Sequence, residues 1–424
     1  MTNQLQKKAL SYDLAPTPQD PAHIRALTDE KVDLHTNTHW GRDAITNRTS
    51  RGWRVILNTN DYLGLARHPR VAIAKAAALL ETGHGEAVSR VFIQDRDDAH
   101  RTFERRFAAL IGAQDAVLVM SGYNANTSIV QVFARPGSPV YLDMRAHASL
   151  WEGVLCARAR AIPFRHNDPA DLRRKIALGG PGLVIVDSLY STDGSVCPLI
   201  EIVEQCERGG CAIVVDETHA FGCHGHEGGG MVSALGLTDR VHFRTIGLSK
   251  AVAARGGIVA GSARNMELFR YEARPLIFST TVLGYEIAGF NAVLDLVRDE
   301  PWRAARLHRN HARMKEDLQA CGFDVAASES QILAIVTGAP DNTIAFRRHL
   351  DARGIRAAVF GPPATPPQGC LLRMSLSAML TDDDIAATVE ACRDALSALD
   401  MRGWPCVRQQ DGAASGRRLR GAAS

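Results

Sequence analysis

No run of about 18 consecutive apolar residues occurs anywhere in the 424-residue chain, and the opening Met1-Thr-Asn-Gln-Leu-Gln-Lys-Lys8 contains no apolar leader segment. Neither membrane spanning nor secretion is therefore expected. An excess of one charge is also lacking: a formal net charge of +3 gives no reason to expect a nucleic-acid partner. The nine cysteines contain no C-x-x-C pair and no repeated spacing, so they read as reduced thiols in a cytoplasmic protein. No internal repeat is visible. Basic residues do gather in Arg417-Arg418-Leu-Arg420, but among Gly, Ala and Ser, which fits a solvated tail.

The chain is longer than a single hydrophobic core supports, so a large domain with a smaller one is expected. Residues 1–57 are polar, carry Pro16, Pro18 and Pro21, and read as an N-terminal arm with a short helix. From 58 to 310 strand-like and helical stretches alternate. Strands are expected at Ala116–Met120, Val140–Met144, Leu183–Ser188, Cys211–Glu217, His242–Leu248 and Gly257–Ala260. Several are apolar throughout, as in parallel strands covered on both faces, so this large domain is α/β with a mainly parallel sheet. From 311 to 403 the pattern becomes α+β. Strands Ile332–Thr337 and Leu371–Ser375 flank a helix over Thr343–Arg353, and a capping box at Thr381-Asp-Asp-Asp384 opens a last helix. Residues 404–424 form the tail.

The chemistry lies where apolar runs end. Cys211-Ala-Ile-Val-Val-Asp216 delivers a carboxylate, His219 follows it, and Thr245-Ile-Gly-Leu-Ser-Lys250 delivers a lysine. A strand-end Asp to hold a protonated ring nitrogen, and a partly desolvated lysine to form a Schiff base, are what pyridoxal phosphate (PLP) requires. Alone, Asp216 reads as a turn cap and Lys250 as a surface residue; their spacing with His219 is what selects the cofactor. Ser121-Gly122-Tyr123-Asn124 follows a strand and opens a helix, which suits a phosphate, although such turns are common. His147, just past another strand, could stack on the ring. Two rivals are weaker. His219, Cys223, His224 and His226 lack a second pair of metal ligands, so no metal is expected. Gly225–Gly230 lacks the spacing of a dinucleotide fingerprint.

Asn60-Asp-Tyr-Leu-Gly-Leu65, Ser121-Gly-Tyr-Asn-Ala-Asn126, His147-Ala-Ser-Leu-Trp-Glu152, His166-Asn-Asp168, Tyr190-Ser-Thr-Asp-Gly194, Asp216-Glu-Thr-His219 and Lys250 together resemble the α-oxoamine synthases over roughly residues 55–400. That family consists of fold-type I PLP enzymes that condense an amino acid with an acyl-CoA and release carbon dioxide. Ser149-Leu-Trp-Glu-Gly153, Val186-Asp-Ser-Leu-Tyr-Ser-Thr192, His219–Gly225, Val241-His-Phe243, Ser328-Glu-Ser-Gln-Ile332 and Pro363-Ala-Thr365 are similar to the quorum-sensing autoinducer synthases of the CqsA and LqsA type within it.

The resemblance implies roles by position. Asp216 pairs with the ring nitrogen, His219 and Ser191 contact the phenolic oxygen, and His147 stacks on the ring. Lys250 is both Schiff base and proton shuttle. Arg373, with Asn60, grips the amino-acid carboxylate. Thr280 is given to the phosphate of a neighbouring subunit, which implies a homodimer. Two departures stand out. Relatives carry Thr or Ser three positions before the lysine, where this chain has Gly247; Thr245 or Ser249 are the candidates to compensate. A small-residue loop is replaced by Gly85-Glu-Ala-Val-Ser-Arg90, whose Glu86 and Val88 reshape the substrate channel.

The activity implied is condensation of a fatty acyl-CoA with a small amino acid to an α-aminoketone, precursor of an α-hydroxyketone signal. The alternatives are 8-amino-7-oxononanoate synthase or another α-oxoamine synthase, and, outside catalysis, a PLP-fold scaffold subunit. Retention of Lys250, Asp216 and Arg373 argues against the scaffold.

Overall fold

The computed structural model describes residues 21–37, 53–85, 88–93, 98–362 and 364–408. Most of the expected N-terminal arm, Glu86, Pro363 and the basic tail lie outside the described residues. Within the arm, Ala22–Asn37 is helical.

The chain first enters a sheet at β1 (Val55–Leu57). It then lays down seven five-residue strands: β2 (Asp115–Val119), β3 (Pro139–Asp143), β4 (Arg160–Phe164), β5 (Leu183–Asp187), β6 (Ala212–Asp216), β7 (Phe243–Gly247) and β8 (Gly257–Gly261). These seven form one sheet in the order β2-β8-β7-β6-β5-β3-β4. All neighbours are parallel except β8, which runs antiparallel to both β2 and β7. The expected mainly parallel α/β sheet is therefore present, and six of its strands lie within a residue or so of the apolar runs.

Burial on both faces explains why those runs do not alternate. Ile129, Val130, Leu150, Val154, Met266 and Phe269 pack Val117, Leu142, Ile185 and Val214 on one face, while Leu172, Ile176, Ile202 and Val203 pack Val184, Val186, Ile213 and Val215 on the other. Each such side chain contributes about 1.5–3 kcal/mol of burial. The strand of this sheet missing from the sequence reading, β4, lies at one edge. Its Arg160 and Pro163 and its mostly exposed face are tolerated at an edge, where no second ladder is needed.

Four parallel strands end side by side. Gly247, Asp216, Asp187 and Asp143 close β7, β6, β5 and β3, so three carboxylates and a glycine line the carboxyl edge of the sheet, where ligands of open α/β sheets bind. A buried ion pair fixes this edge. Arg244 donates through Nε to Glu217 Oε2 at 2.5 Å and through Nη1 to Ile111 O at 2.7 Å, and Val232 N donates to Glu217 Oε1 at 2.8 Å.

A second sheet joins β1 to β9 (Ile332–Gly338), β10 (Ile355–Phe360) and β11 (Cys370–Ser375) in the order β1-β10-β11-β9. β1 runs parallel to β10, and the other pairs are antiparallel. Val55–Leu57, counted with the arm in the sequence, thus belongs to the sheet of the C-terminal part. Helix Trp302–Ala320 runs through the boundary expected at 310. Thr381 caps helix Asp382–Ala398 with a full capping box, as the sequence indicated. The first residues expected in the tail are packed instead: Cys406 is buried, its carbonyl accepts from Asp324 N at 2.7 Å, and Val407 bridges Phe323.

Candidate active site

Because β1 lies beside β10, and β10 beside β11, the turn after β1 carries Asn60 to Arg373 in the middle of β11. Arg373 Nη2 donates to Asn60 Oδ1 at 2.8 Å and Nη1 to Ser191 O at 2.7 Å, and its guanidinium lies 4.7 Å from the Phe360 ring centroid. The guanidinium is thus oriented by two neutral oxygens rather than by a carboxylate. Its Nε is buried without a partner.

At the end of β6, Asp216 accepts from Asn126 Nδ2 at 2.7 Å and from Thr218 N at 2.8 Å. Asn126 also donates to Ser149 Oγ at 2.9 Å, and Ser149 Oγ meets His147 Nδ1 at 2.7 Å. One hydrogen-bonded chain therefore joins Asp216 to His147, which caps helix Ala148–Cys156 and is itself exposed. Asp187 stands beside Asp216 in register and accepts from His147 N at 3.2 Å. Burial, then repulsion from Asp216, raises the Asp187 pKa well above the carboxylate range. The shift favours the protonated form of Asp187.

His219 is buried, and its Nδ1 lies 2.7 Å from the Tyr62 hydroxyl. Burial, and after it Lys250 and Arg373, lower the His219 pKa well below its usual value, so the ring is neutral and carries one proton. Its carbonyl accepts from Gln331 Nε2 at 2.7 Å. Lys250 sits in the turn after β7. Burial and the Arg373 charge lower its pKa while Asp216 opposes them, the bias needed by an amine that must be unprotonated to react.

The helix start expected to hold the phosphate is built from backbone. Ser121 caps helix Gly122–Phe133 by accepting from Asn124 N at 3.1 Å, which leaves the first amides of the helix to point outward. A Cβ on Gly122 would come within 2.7 Å of Gly247 Cα, and one on Gly257 within 2.3 Å of Ser121 O. Only glycines allow these backbones to close around the helix start, and Tyr123 flanks it half exposed.

Asn60, Ser191 and Arg373, and likewise Asp216 and His147, are therefore joined by hydrogen bonds, and Lys250 and His219 lie within their electrostatic reach. Thr245 is buried level with Asp216, with Oγ1 unpartnered. Ser249 is exposed. Thr280 is also exposed and bridges Ser89 rather than entering these chains. Sequence reasoning did not assign Tyr62, Asn126, Thr218 or Gln331. All four stand inside the quoted stretches, yet their partners are set only by the fold. The set fits PLP: a carboxylate for the ring nitrogen, an amine with lowered pKa, a helix start closed by glycines, and an arginine without a protein carboxylate.

The family model for aminotransferase class I and II matches residues 54–413. CAI-1 autoinducer synthase of Vibrio campbellii is 38% identical over 80% of this chain and 86% of its own length. An 8-amino-7-oxononanoate synthase of Mycolicibacterium gilvum is 35% identical over 87% of this chain and 96% of its own length. A high-resolution structure of serine palmitoyltransferase (SPT) with PLP superposes with a TM-score of 0.78 at 28% identity, covering 82% of this chain and 88% of that one. With the carboxylate, the lysine and the helix start in place, the chain belongs to the class I and II aminotransferase family and, within it, to the PLP-dependent α-oxoamine synthases.

Proposed function

We propose that this acyltransferase joins a medium- or long-chain fatty acyl-CoA to a small aliphatic amino acid, releasing coenzyme A and carbon dioxide and giving an α-aminoketone that is the precursor of an α-hydroxyketone signal. It acts as a homodimer in this reading, with Thr280 reaching the partner's phosphate site. The observation that carries the reaction class is Arg373, buried beside Lys250 and oriented by Asn60 Oδ1 and Ser191 O, which leaves a guanidinium free for the carboxylate of an amino acid. Similarity to the CAI-1 autoinducer synthase supports the signal branch.

PLP, when bound, supplies an electron sink for negative charge at the amino acid's Cα. Lys250 would anchor the cofactor, and its amine would take the Cα proton of the substrate. Arg373 and Asn60 hold the carboxylate so that this C–H bond points toward Lys250. Asp216 would hold the ring nitrogen protonated. His219 would contact the phenolic oxygen, with Ser191 as a second contact. His147 would cover the ring face and polarise the thioester carbonyl as charge develops on it. Ser121, Gly122 and Tyr123 would border the phosphate, Thr245 and Ser249 being the hydroxyls that the sequence offers nearby, and Val88 would border the acyl channel.

A second reading, 8-amino-7-oxononanoate synthase, is favoured by the 35% identity to a relative of that name over nearly its whole length. Mass spectrometry of products from a series of acyl-CoAs, each with glycine, alanine or 2-aminobutyrate, separates the two. The proposal expects turnover to rise with acyl length, since each buried methylene adds about 0.8 kcal/mol. Turnover of pimeloyl-CoA with alanine alone would overturn it in favour of the second reading.

A further inference from the structure

The N–H of Gly247, the last residue of β7, donates to Thr218 Oγ1 at 2.7 Å. A Cβ built on Gly247 would lie 3.0 Å from Thr218 Cγ2, 3.2 Å from Thr218 Oγ1 and 3.4 Å from Gly122 Cα. A Cβ on Gly122 would in turn lie 3.9 Å from Thr218 Oγ1. The side chain of Thr218 therefore fills the space into which a residue at 247 would project, beside the start of helix Gly122–Phe133. Two side chains cannot share that space at ordinary contact distances.

We propose that Thr218 supplies the hydroxyl at the phosphate end of the cofactor pocket, taking the place of a side chain at 247. The inference rests on the reading that PLP binds at this site and adds a residue to it. Thr218 Oγ1 accepts the Gly247 N–H, so its own proton is free to be donated to a phosphate oxygen. The competing hydroxyls are placed less well. Thr245 pairs in register with Asp216, one layer below the strand end and level with the carboxylate. Ser249 is exposed. Thr218 alone is hydrogen-bonded to the strand end that faces Gly122.

The test measures binding of PLP, and separately of pyridoxal, to the apo forms of the parent and of Thr218→Val, Thr218→Ser, Gly247→Ser and Thr218→Ala/Gly247→Ser, with circular dichroism to confirm folding. Thr218→Val keeps the shape and removes the hydroxyl. It is expected to weaken PLP about tenfold or more, as for a lost hydrogen bond to a charged group, while leaving pyridoxal, which has no phosphate, within about twofold. Thr218→Ser should bind nearly as the parent does. Gly247→Ser alone should weaken PLP through crowding, and the double variant should recover most of the loss, because the hydroxyl moves to the other side of the same space. Unchanged PLP affinity in Thr218→Val, an equal loss for pyridoxal, or no recovery in the double variant would each overturn the proposal. A parent protein that fails to bind PLP would instead overturn the reading on which it rests.

Discussion

The Tyr62 hydroxyl lies 2.7 Å from Nδ1 of His219, and burial holds both groups uncharged by raising the phenol's pKa and lowering the imidazole's. Where the phenol donates to Nδ1, the single proton of the His219 ring sits on Nε2; where it donates to Asn60 Oδ1, it accepts Nδ1–H instead. Asn60 Oδ1 is a second, longer acceptor for the same hydroxyl at 3.3 Å and already receives Arg373. Tyr62 thus links the Asn60–Arg373 pair with His219.

Replacing Tyr62 with Phe should lower kcat by about tenfold, the scale of one buried hydrogen bond, because the His219 ring then loses the partner that fixes its orientation. Asn60→Ala should instead act mainly on KM for the amino acid. Steady-state kinetics of the two variants check this split; an unchanged kcat in Tyr62→Phe would remove the residue from the catalytic chain.

Lys250 offers a pH test with a definite sign. Arg373 lowers its pKa and Asp216 raises it, and only the unprotonated amine captures PLP. The capture rate of apo Arg373→Gln should therefore reach half its plateau at a higher pH than the parent, and that of Asp216→Asn at a lower pH. Lys250→Ala should fold normally, lose the visible absorbance of the cofactor-bound protein and show no turnover. Stopped-flow absorbance measures the first pair and a spectrum the last.

Much of this arrangement was legible in the sequence, for a physical reason. The strands ending at Asp187, Asp216 and Gly247 are buried on both faces and appear as short apolar runs, so the residues just past them could be read as site residues. Three strands were not: β4 carries Arg160 and Pro163, β1 is three residues long, and β10 is only partly buried, so none of them appears as a short apolar run. Residues whose role depends on a distant partner were also silent. Tyr62 meets His219 across 157 positions and Gln331 meets it across 112. Thr218 gave one faint signal, a hydroxyl residue next to the expected Asp216–His219 pair in a chain that has glycine at 247.

The pair Glu217–Arg244 should prove structural. Both side chains are buried, and removing one partner leaves the other charge uncompensated. Arg244→Met is expected to destabilise the protein by about 3–5 kcal/mol, seen as a lower thermal midpoint, with a smaller loss for Arg244→Lys, which keeps the charge but not the fork. A midpoint unchanged in Arg244→Met would show that the pair adds nothing to the fold.

Acid should weaken the fold through two histidines. Burial lowers the pKa of both His224 and His311 to about 4 from 6.5, so each is neutral in the native protein and gains a proton more readily when unfolded. Their stabilisation is complete above pH 6.5 and is lost as pH falls toward 4, up to about 3 kcal/mol each. Denaturant midpoints should fall across this window in the parent and fall less steeply in His224→Gln and His311→Gln. Identical slopes would mean that these histidines titrate alike in the folded and unfolded chains.

Asp216→Asn should cost more than its charge. Both carboxylate oxygens accept hydrogen bonds, one from Asn126 Nδ2 and the other from Thr218 N, so an amide at 216 must turn its NH2 against one of those donors. The ring nitrogen loses its anionic partner at the same time. Turnover is expected to drop a hundredfold or more, equivalent to about 3 kcal/mol of transition-state stabilisation. PLP affinity should fall far less, because the helix start at Gly122 and the Lys250 attachment are untouched. The second variant, Asn126→Leu, keeps the charge and removes one donor, and should fall between parent and Asp216→Asn. Single-turnover rates together with PLP titration decide the matter: parallel losses of affinity and rate in Asp216→Asn would assign Asp216 to holding the cofactor rather than to activating it.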